Sequence, residues 1–259
     1  MMPSAGRRSA PVSMPDCEHI AGPPPTDVVV PEVVLTIAAG RPVRAVWENE
    51  LGGLTFEVGA GDGRVFVKWS PGGDAPDLTV EAERLDWAAR HTAVPRVLDV
   101  GREHGGSWMV TSALSGASAV APEWIARPEI AVTGLGRGLR ALHDALPVDD
   151  CPFSWSVDER IVRAAAVVER DAPPDDRLVV CHGDACAPNT VLDADGTCVG
   201  HVDLGRLGVA DRWADLAVAT WSTEWNYGPG WEGLLLDAYG VEPDPERTDF
   251  YRWLWDLAS

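Results

Sequence analysis

Lysine is nearly missing from this sequence: Lys68 stands alone against twenty arginines. Most solvent-facing basic positions accept either residue, so a composition pressed this far toward arginine loses lysine wherever a guanidinium will serve. A lysine that survives marks a position that needs a compact ammonium instead of a larger, planar, differently hydrated fork. Basic charge as a whole is scarce, with 40 acidic residues against 21 basic ones and a formal net charge of −19. Such a field serves solubility; it also repels nucleic-acid phosphates and anionic membrane surfaces and attracts cations. Nucleic acid is therefore not an expected partner, and a cationic small molecule is.

Long apolar runs are also absent. Nothing approaches the roughly 18 uninterrupted apolar residues of a membrane span, and the best stretch, 28–40, contains Pro31 and Glu32. Arg7 and Arg8 resemble the start of an export signal, but no apolar segment follows them. The expectation is a cytoplasmic chain without a membrane partner. Five cysteines, an odd number scattered along the chain, do not make a disulfide framework and read as reduced thiols. No internal repeat occurs, no Walker G-x-x-x-x-G-K-[ST] motif is present, and the glycine-bearing loop 48–56 does not follow the G-x-G-x-x-G pattern.

What is present falls into three parts. Residues 1–25 are rich in Pro, Ser and Gly and read as a disordered leader. From 33 to 69 the pattern is β: runs at 33–37, 43–47, 54–58 and 65–69 are parted by turn residues, with Gly61-Asp62-Gly63 as a hairpin between the last two. A helix is expected over 81–90, then strands at 96–100 and 107–111. Beyond Gly116 the chain turns helical, at 129–143, 213–222, 231–239 and 245–257, with short strands at 178–181 and 199–203. A β-rich front and a helical remainder give an α+β protein of two lobes, 26–112 and 113–259.

The strongest signal is Cys181-His182-Gly183-Asp184-Ala185-Cys186-Ala187-Pro188-Asn189, followed by Val202-Asp203-Leu204-Gly205. An Asp, an Asn five residues on, and an Asp-x-Gly after a short strand form the catalytic arrangement of kinases. Asp184 is placed to accept the proton of a substrate hydroxyl. Asn189 and Asp203 offer oxygen ligands to Mg²⁺, a hard cation that also takes phosphate oxygens. Gly205 is expected to let the backbone turn after the metal ligand, and His182 reads as a brace for the loop. Lys68 lies near the end of the strand Val65-Phe66-Val67-Lys68-Trp69, where a kinase holds the α- and β-phosphates. Either Glu81 or Glu83 is its expected partner. Gly52-Gly53 reads as an ordinary turn, and the twelve tryptophans as core and cleft packing.

These residues resemble a known family. His182-Gly183-Asp184 with Asn189, and then the continuous segment from Asp203 through Arg206 and Asp211 to Ala217, look very like the aminoglycoside phosphotransferases that modify kanamycin- or streptomycin-type antibiotics. Leu142-His143, Asp150-Cys151-Pro152-Phe153 and the stretch 81–87 match as well. The resemblance implies a bilobal protein-kinase-like fold, with a small β-rich N-terminal lobe and a larger, mainly helical C-terminal lobe. It implies transfer of the γ-phosphoryl of ATP, or of GTP, to an antibiotic hydroxyl, most simply of the 3'-type. It also implies roles: Asp184 as base, Asn189 and Asp203 on Mg²⁺, and Lys68 on the phosphates with Glu81. A hinge of Ser112, Ala113 and Leu114 would receive the adenine, and Arg206, Glu224 and Asp256 would contact the aminoglycoside. Two departures bear on the acceptor. Only 30 residues part Cys151 from His182, where antibiotic-modifying members carry a longer acidic insertion, and Asp256 is followed by Leu257-Ala258-Ser259 instead of an acidic, aromatic end.

Other readings compete. A streptomycin 3''-type kinase, or a kinase of amino alcohols, sugars or macrolides, would share the fold. Cys181, Cys186, Cys198 and His201 can be drawn as a zinc site, though their spacing fits no common finger or ribbon. A catalytically silent nucleotide-binding module is disfavoured because base, magnesium ligands and lysine are all present.

Overall fold

The computed structural model describes residues 21–103, 106–163 and 170–257. Most of the expected leader, with Cys17, lies outside that range. Its last part is engaged: Gly22 forms an antiparallel bridge with Glu48.

The run 33–37, expected as a strand, is instead part of helix α1, Glu32–Ala38. Its β-branched residues are mediocre helix formers, but the ends are strongly marked. Pro31 starts the helix with a preset φ, Glu32 sits in the first turn, and Ala39 closes it in the left-handed conformation. Arg41 then donates to the carbonyls of Ala38 and Ile37. Packing decides the rest. Val34 and Ala38, one turn apart, are buried in a cluster with Phe56, Val58, Val67 and Val110, so tertiary burial overrides propensity.

The remaining front elements follow the expected order: β1 Val43–Glu48, β2 Leu54–Val58, β3 Val65–Ser70, α2 Leu78–Ala88, β4 Val97–Glu103 and β5 Gly106–Ser112. They form one antiparallel sheet in the order β1-β2-β3-β5-β4. A 3₁₀ turn at Gly61–Gly63 joins β2 to β3. Register separates the two faces. Val67 lies opposite Phe56 and Val110, all three in the cluster under α1, whereas Lys68 lies opposite Thr55 and Met109, and Met109 belongs to the larger core. Lys68 therefore points to the inner face.

Helix α2 is what fastens that face to the rest. It begins three residues before the expected start, because Asp77 caps it by accepting from Thr79 N–H and Ser107 Oγ accepts from Leu78 N–H. Its Leu78, Ala82, Leu85 and Ala88 sit in the same core as the helical part of the chain. That part comprises β6 Ala117–Ser118, α3 Pro122–Ile125, α4 Pro128–Ala145, α5 Val157–Arg163, β7 Leu178–Cys181, β8 Thr190–Leu192, β9 Cys198–His201, β10 Gly208–Asp211, α6 Trp213–Tyr227, α7 Glu232–Tyr239 and α8 Pro245–Leu257. The short strands pair as β7 with β10 and as β6-β8-β9. Among the described residues no helix is long and apolar enough to cross a membrane.

Leu85 is almost fully buried at the centre of this α2 contact. Leu85→Ala should lower the unfolding free energy by about 3 kcal/mol, read from the midpoint of a urea titration. A loss below about 1 kcal/mol would show that α2 is not anchored in the larger core.

Candidate active site

The short strands deliver the site. Strand β7 leads into His182, Gly183 and Asp184; a 3₁₀ turn at Ala187–Asn189 leads into β8; β9 leads to Asp203; and β10 follows Leu207. Val202 N–H donates to the Asn189 carbonyl at 2.9 Å, which ties the loop that carries Asn189 to the one that carries Asp203.

Lys68 reaches across to them. Its Nζ donates to Glu81 Oε1 and Oε2 at 2.7 and 2.9 Å and lies 3.0 Å from Asp203 Oδ1. Glu83, the rival partner, is exposed. Glu81 sits in the first turn of α2 and is buried. Burial works against the Lys68 ammonium, but the Asp203 and Glu81 carboxylates outweigh it and raise its pKa. The same pairing, against the opposing effect of burial, lowers the pKa of Asp203. The turn expected at Gly205 falls elsewhere. Asp203 itself takes φ 63°, while Gly205 is not among the positive-φ residues, and a Cβ there would meet Glu81 at an ordinary 3.6 Å. A strained non-glycine conformation at a carboxylate facing a cleft is characteristic of functional positions.

Asp184 is held from two sides. The Cys186 thiol donates to Oδ1 at 3.1 Å, and Asn189 Nδ2 donates to the Asp184 carbonyl at 3.0 Å and lies 3.4 Å from Oδ2. With its Nδ2 so engaged, Asn189 presents its amide oxygen as the remaining donor atom. His182 acts as the expected brace: Nε2–H donates to the Val202 carbonyl, and Nδ1 accepts from Asp184 N–H. Gly183 has φ 82°, and a Cβ there would lie 2.2 Å from the Arg206 carbonyl oxygen. Only glycine allows this loop to pass the Arg206 backbone so closely.

Beneath the loop lies a residue to which sequence reasoning gave no role. Asp215, on α6, is fully buried and accepts from the backbone N–H groups of His182 (2.6 Å) and Gly183 (2.9 Å). His143 Nε2 meets Asp215 Oδ2 at 2.9 Å, and His143 Nδ1 meets the Tyr239 hydroxyl at 2.8 Å. Burial alone would raise the Asp215 pKa, but His143, His182 and the Gly183 N–H together hold it below the usual carboxylate range. The available signal was a single carboxylate inside the apolar run Trp213-Ala214-Asp215-Leu216-Ala217-Val218.

The other expected positions are less concentrated. Ser112, Ala113 and Leu114 line an open cavity of about 510 Å³ with Arg64, Val65 and Val94. Ser112 commits its N–H and hydroxyl to Arg96, and the Leu114 carbonyl accepts from Arg64. Arg206 is half-buried, and its charge acts on Asp203 and Cys186. Glu224 and Asp256 are exposed, towards the ends of α6 and α8.

The zinc reading fails on geometry. Cys181 donates to the Asp211 carbonyl, Cys186 to Asp184, and Cys198 lies 3.6 Å from His201 Nε2. Each sulfur faces its own partner instead of a common point. Among the described residues the cluster of potential ligands is His143, Cys181 and Asp215, and the hydrogen bonds already described engage all three.

A lysine paired with a buried glutamate beneath an antiparallel sheet, facing an Asp–Asn–Asp set on two short loops, defines a phosphotransferase of kinase-like fold. The chain belongs to the phosphotransferase enzyme family, whose model matches residues 42–170 and 156–251. Among its relatives, the aminoglycoside 3'-phosphotransferase of Streptomyces fradiae is 35% identical over 81% of this chain and 92% of its own length. The streptomycin 3''-kinase of Streptomyces griseus is 32% identical over 88% and 95%. The structure of aminoglycoside phosphotransferase APH(3'')-Id from Streptomyces rimosus superposes with a TM-score of 0.70 at 29% identity, covering 87% of this chain and 96% of that one.

In the unfolded chain an aspartate titrates near pH 4. Because the native Asp215 pKa is lower, the native state binds fewer protons than the unfolded state in that range, and stability falls on acidification. Asp215→Asn should destabilise the protein by about 3 kcal/mol near neutral pH, and its stability should fall less steeply between about pH 5 and pH 3 than in the wild type. Parallel pH profiles would remove Asp215 from this role.

Proposed function

We propose that the protein is an ATP-dependent aminoglycoside O-phosphotransferase of the 3'-type, which confers resistance by phosphorylating the antibiotic. The observation that carries the reading is Lys68 Nζ shared between Glu81 and Asp203, in one cleft with Asp184 and Asn189. The curated relatives named above support the choice of acceptor. A streptomycin 3''-type activity is the second reading, favoured by the griseus kinase and by the rimosus enzyme, whose structure has also been solved with ADP and streptomycin.

In this reading residues 26–112 bind the nucleotide and 113–259 carry catalysis and the acceptor. Lys68 holds the α- and β-phosphates, oriented by Glu81, and the segment Ser112 to Leu114 receives the adenine. Asn189 and Asp203 would hold magnesium. The donor set fits, since an amide oxygen and a carboxylate of lowered pKa are hard oxygen ligands. When bound, the ion neutralises charge on the phosphates and aligns them. Asp184 orients the acceptor hydroxyl and accepts its proton, with the carboxylate held by Cys186 and Asn189. Positioning and charge neutralisation contribute most of the rate, since the transition state is loose. Arg206, Glu224 and Asp256 face the acceptor.

Asp184→Ala should lose about a thousandfold in kcat while nucleotide affinity, measured by ATP-analogue titration, changes little; near-normal turnover would sink the assignment. Lys68→Arg should fall about a hundredfold despite its retained charge, and a fully active variant would make the solitary lysine an accident. A coupled ATPase screen with kanamycin, neomycin, streptomycin, a macrolide and simple amino alcohols, followed by NMR of the product, decides the acceptor. Phosphate on the 3'-hydroxyl of kanamycin is the expected result; turnover of streptomycin alone selects the second reading, and turnover of an amino alcohol alone refutes both.

A further inference from the structure

A buried hydroxyl on α6 has no part in the reaction described so far, yet it touches the loop that carries the base. Ser222 is fully buried, and a buried hydroxyl needs partners for both its oxygen and its proton. Its Oγ accepts from the Ala187 N–H at 2.8 Å and from Asn226 Nδ2 at 3.1 Å. With both lone pairs so filled, the hydroxyl proton is left to donate, and its partner is the Cys186 sulfur. The Cys186 thiol in turn donates to Asp184 Oδ1 at 3.1 Å.

The chain of bonds therefore has one direction. Asn226 donates to Ser222, Ser222 to Cys186 and Cys186 to Asp184, so each proton points towards the carboxylate and each bond polarises the next. Asn226 is anchored a second time, since its Nδ2 also donates to the Ser222 carbonyl at 2.8 Å. Burial, together with the charge and the hydrogen bond of Asp184, pushes the Cys186 thiol well above its ordinary range. It thus stays a protonated donor at neutral pH. The two carboxylate oxygens are made unequal. Oδ1 is taken by the thiol, whereas Oδ2 meets Asn189 Nδ2 at 3.4 Å, beyond the usual N–H···O range. A thiol is a weak donor, so it fixes Oδ1 without removing the basicity that a stronger donor would take from the carboxylate.

We infer that Asn226, Ser222 and Cys186 form a directional relay that positions Asp184, with Oδ1 held by the thiol and Oδ2 presented to the acceptor hydroxyl. As the acceptor oxygen bonds to the γ-phosphorus and the bond to the ADP oxygen breaks, the hydroxyl proton passes to Oδ2. The three are positioning residues, since they act through Asp184. The inference rests on the phosphotransfer reading above and not on which antibiotic is the acceptor.

The test uses full-length protein with ATP, and kanamycin and streptomycin as acceptors. Cys186→Ala should lower kcat about tenfold with both KM values within about twofold, the pattern of an interaction felt in the transition state. Cys186→Ser retains a donor and should recover most of the rate. Ser222→Ala alone should lower kcat about threefold and add nothing in the Cys186→Ala background, because members of one relay are not additive. A measurement without turnover runs beside these. The S–H stretching band that Cys186→Ser removes from the infrared spectrum should move to higher frequency in Asp184→Asn, whose amide is a weaker acceptor than a carboxylate. Normal kcat in Cys186→Ala, equal losses in the Ala and Ser variants, additive effects of Cys186→Ala and Ser222→Ala, or a band indifferent to Asp184→Asn would overturn the relay. If the wild type phosphorylates neither antibiotic, the proposed acceptor class fails and the relay does not. The same variants then decide the relay in ATP hydrolysis, with water in place of the acceptor. Neither transfer nor hydrolysis of ATP by the wild type would refute both.

Discussion

One ammonium holds the architecture in register. Lys68 sits on β3, Glu81 on α2 and Asp203 on the loop after β9, and their oxygens lie 2.7 to 3.0 Å from its Nζ. Three segments far apart in sequence thus converge on one charge. The pair is built into the fold because α2 buries its apolar side in the larger core while presenting Glu81 to the sheet. A guanidinium would need a planar fork of acceptors at this point, whereas these oxygens surround a compact head.

A buried charge does for the loop what Lys68 does for the cleft. Asp215 receives two consecutive backbone N–H groups, from His182 and Gly183, and the ring of His143. That fixes the path of the loop before Asp184, while Gly183 lets it pass the Arg206 carbonyl. His182 then joins the loop to Val202, so Asp184, Asn189 and Asp203 are set by hydrogen bonds from beneath. Preorganisation of this kind suits phosphoryl transfer, in which positioning and charge outweigh proton transfer.

The ends of α6 and α8 are built differently. Glu224 and Asp256 are exposed there, and Trp221, Trp225 and Trp255 cluster with ring centroids 4.8 to 6.3 Å apart.

Much of the chemistry was legible in the linear order of residues. The spacing of Asp184, Asn189 and Asp203, and the survival of one lysine, need no third dimension, because loop-borne polar side chains and a strand-borne ammonium are specified by residue type over short distances. The β-then-helix division was legible too, since periodicity is local. Tertiary structure decided what depends on contacts between distant segments. The β-branched run 33–37 became a helix because Val34 and Ala38 could cover the outer sheet face. The tight turn fell on Asp203 and not on Gly205. Glu81 prevailed over Glu83 because only one of the two faces inward from α2. Asp215, 33 residues from His182, became the anchor of the loop, and Trp255 was brought to Trp221 and Trp225 across two helices. Each of these outcomes depends on which side of an element is buried and against what, and sequence spacing alone does not carry that information.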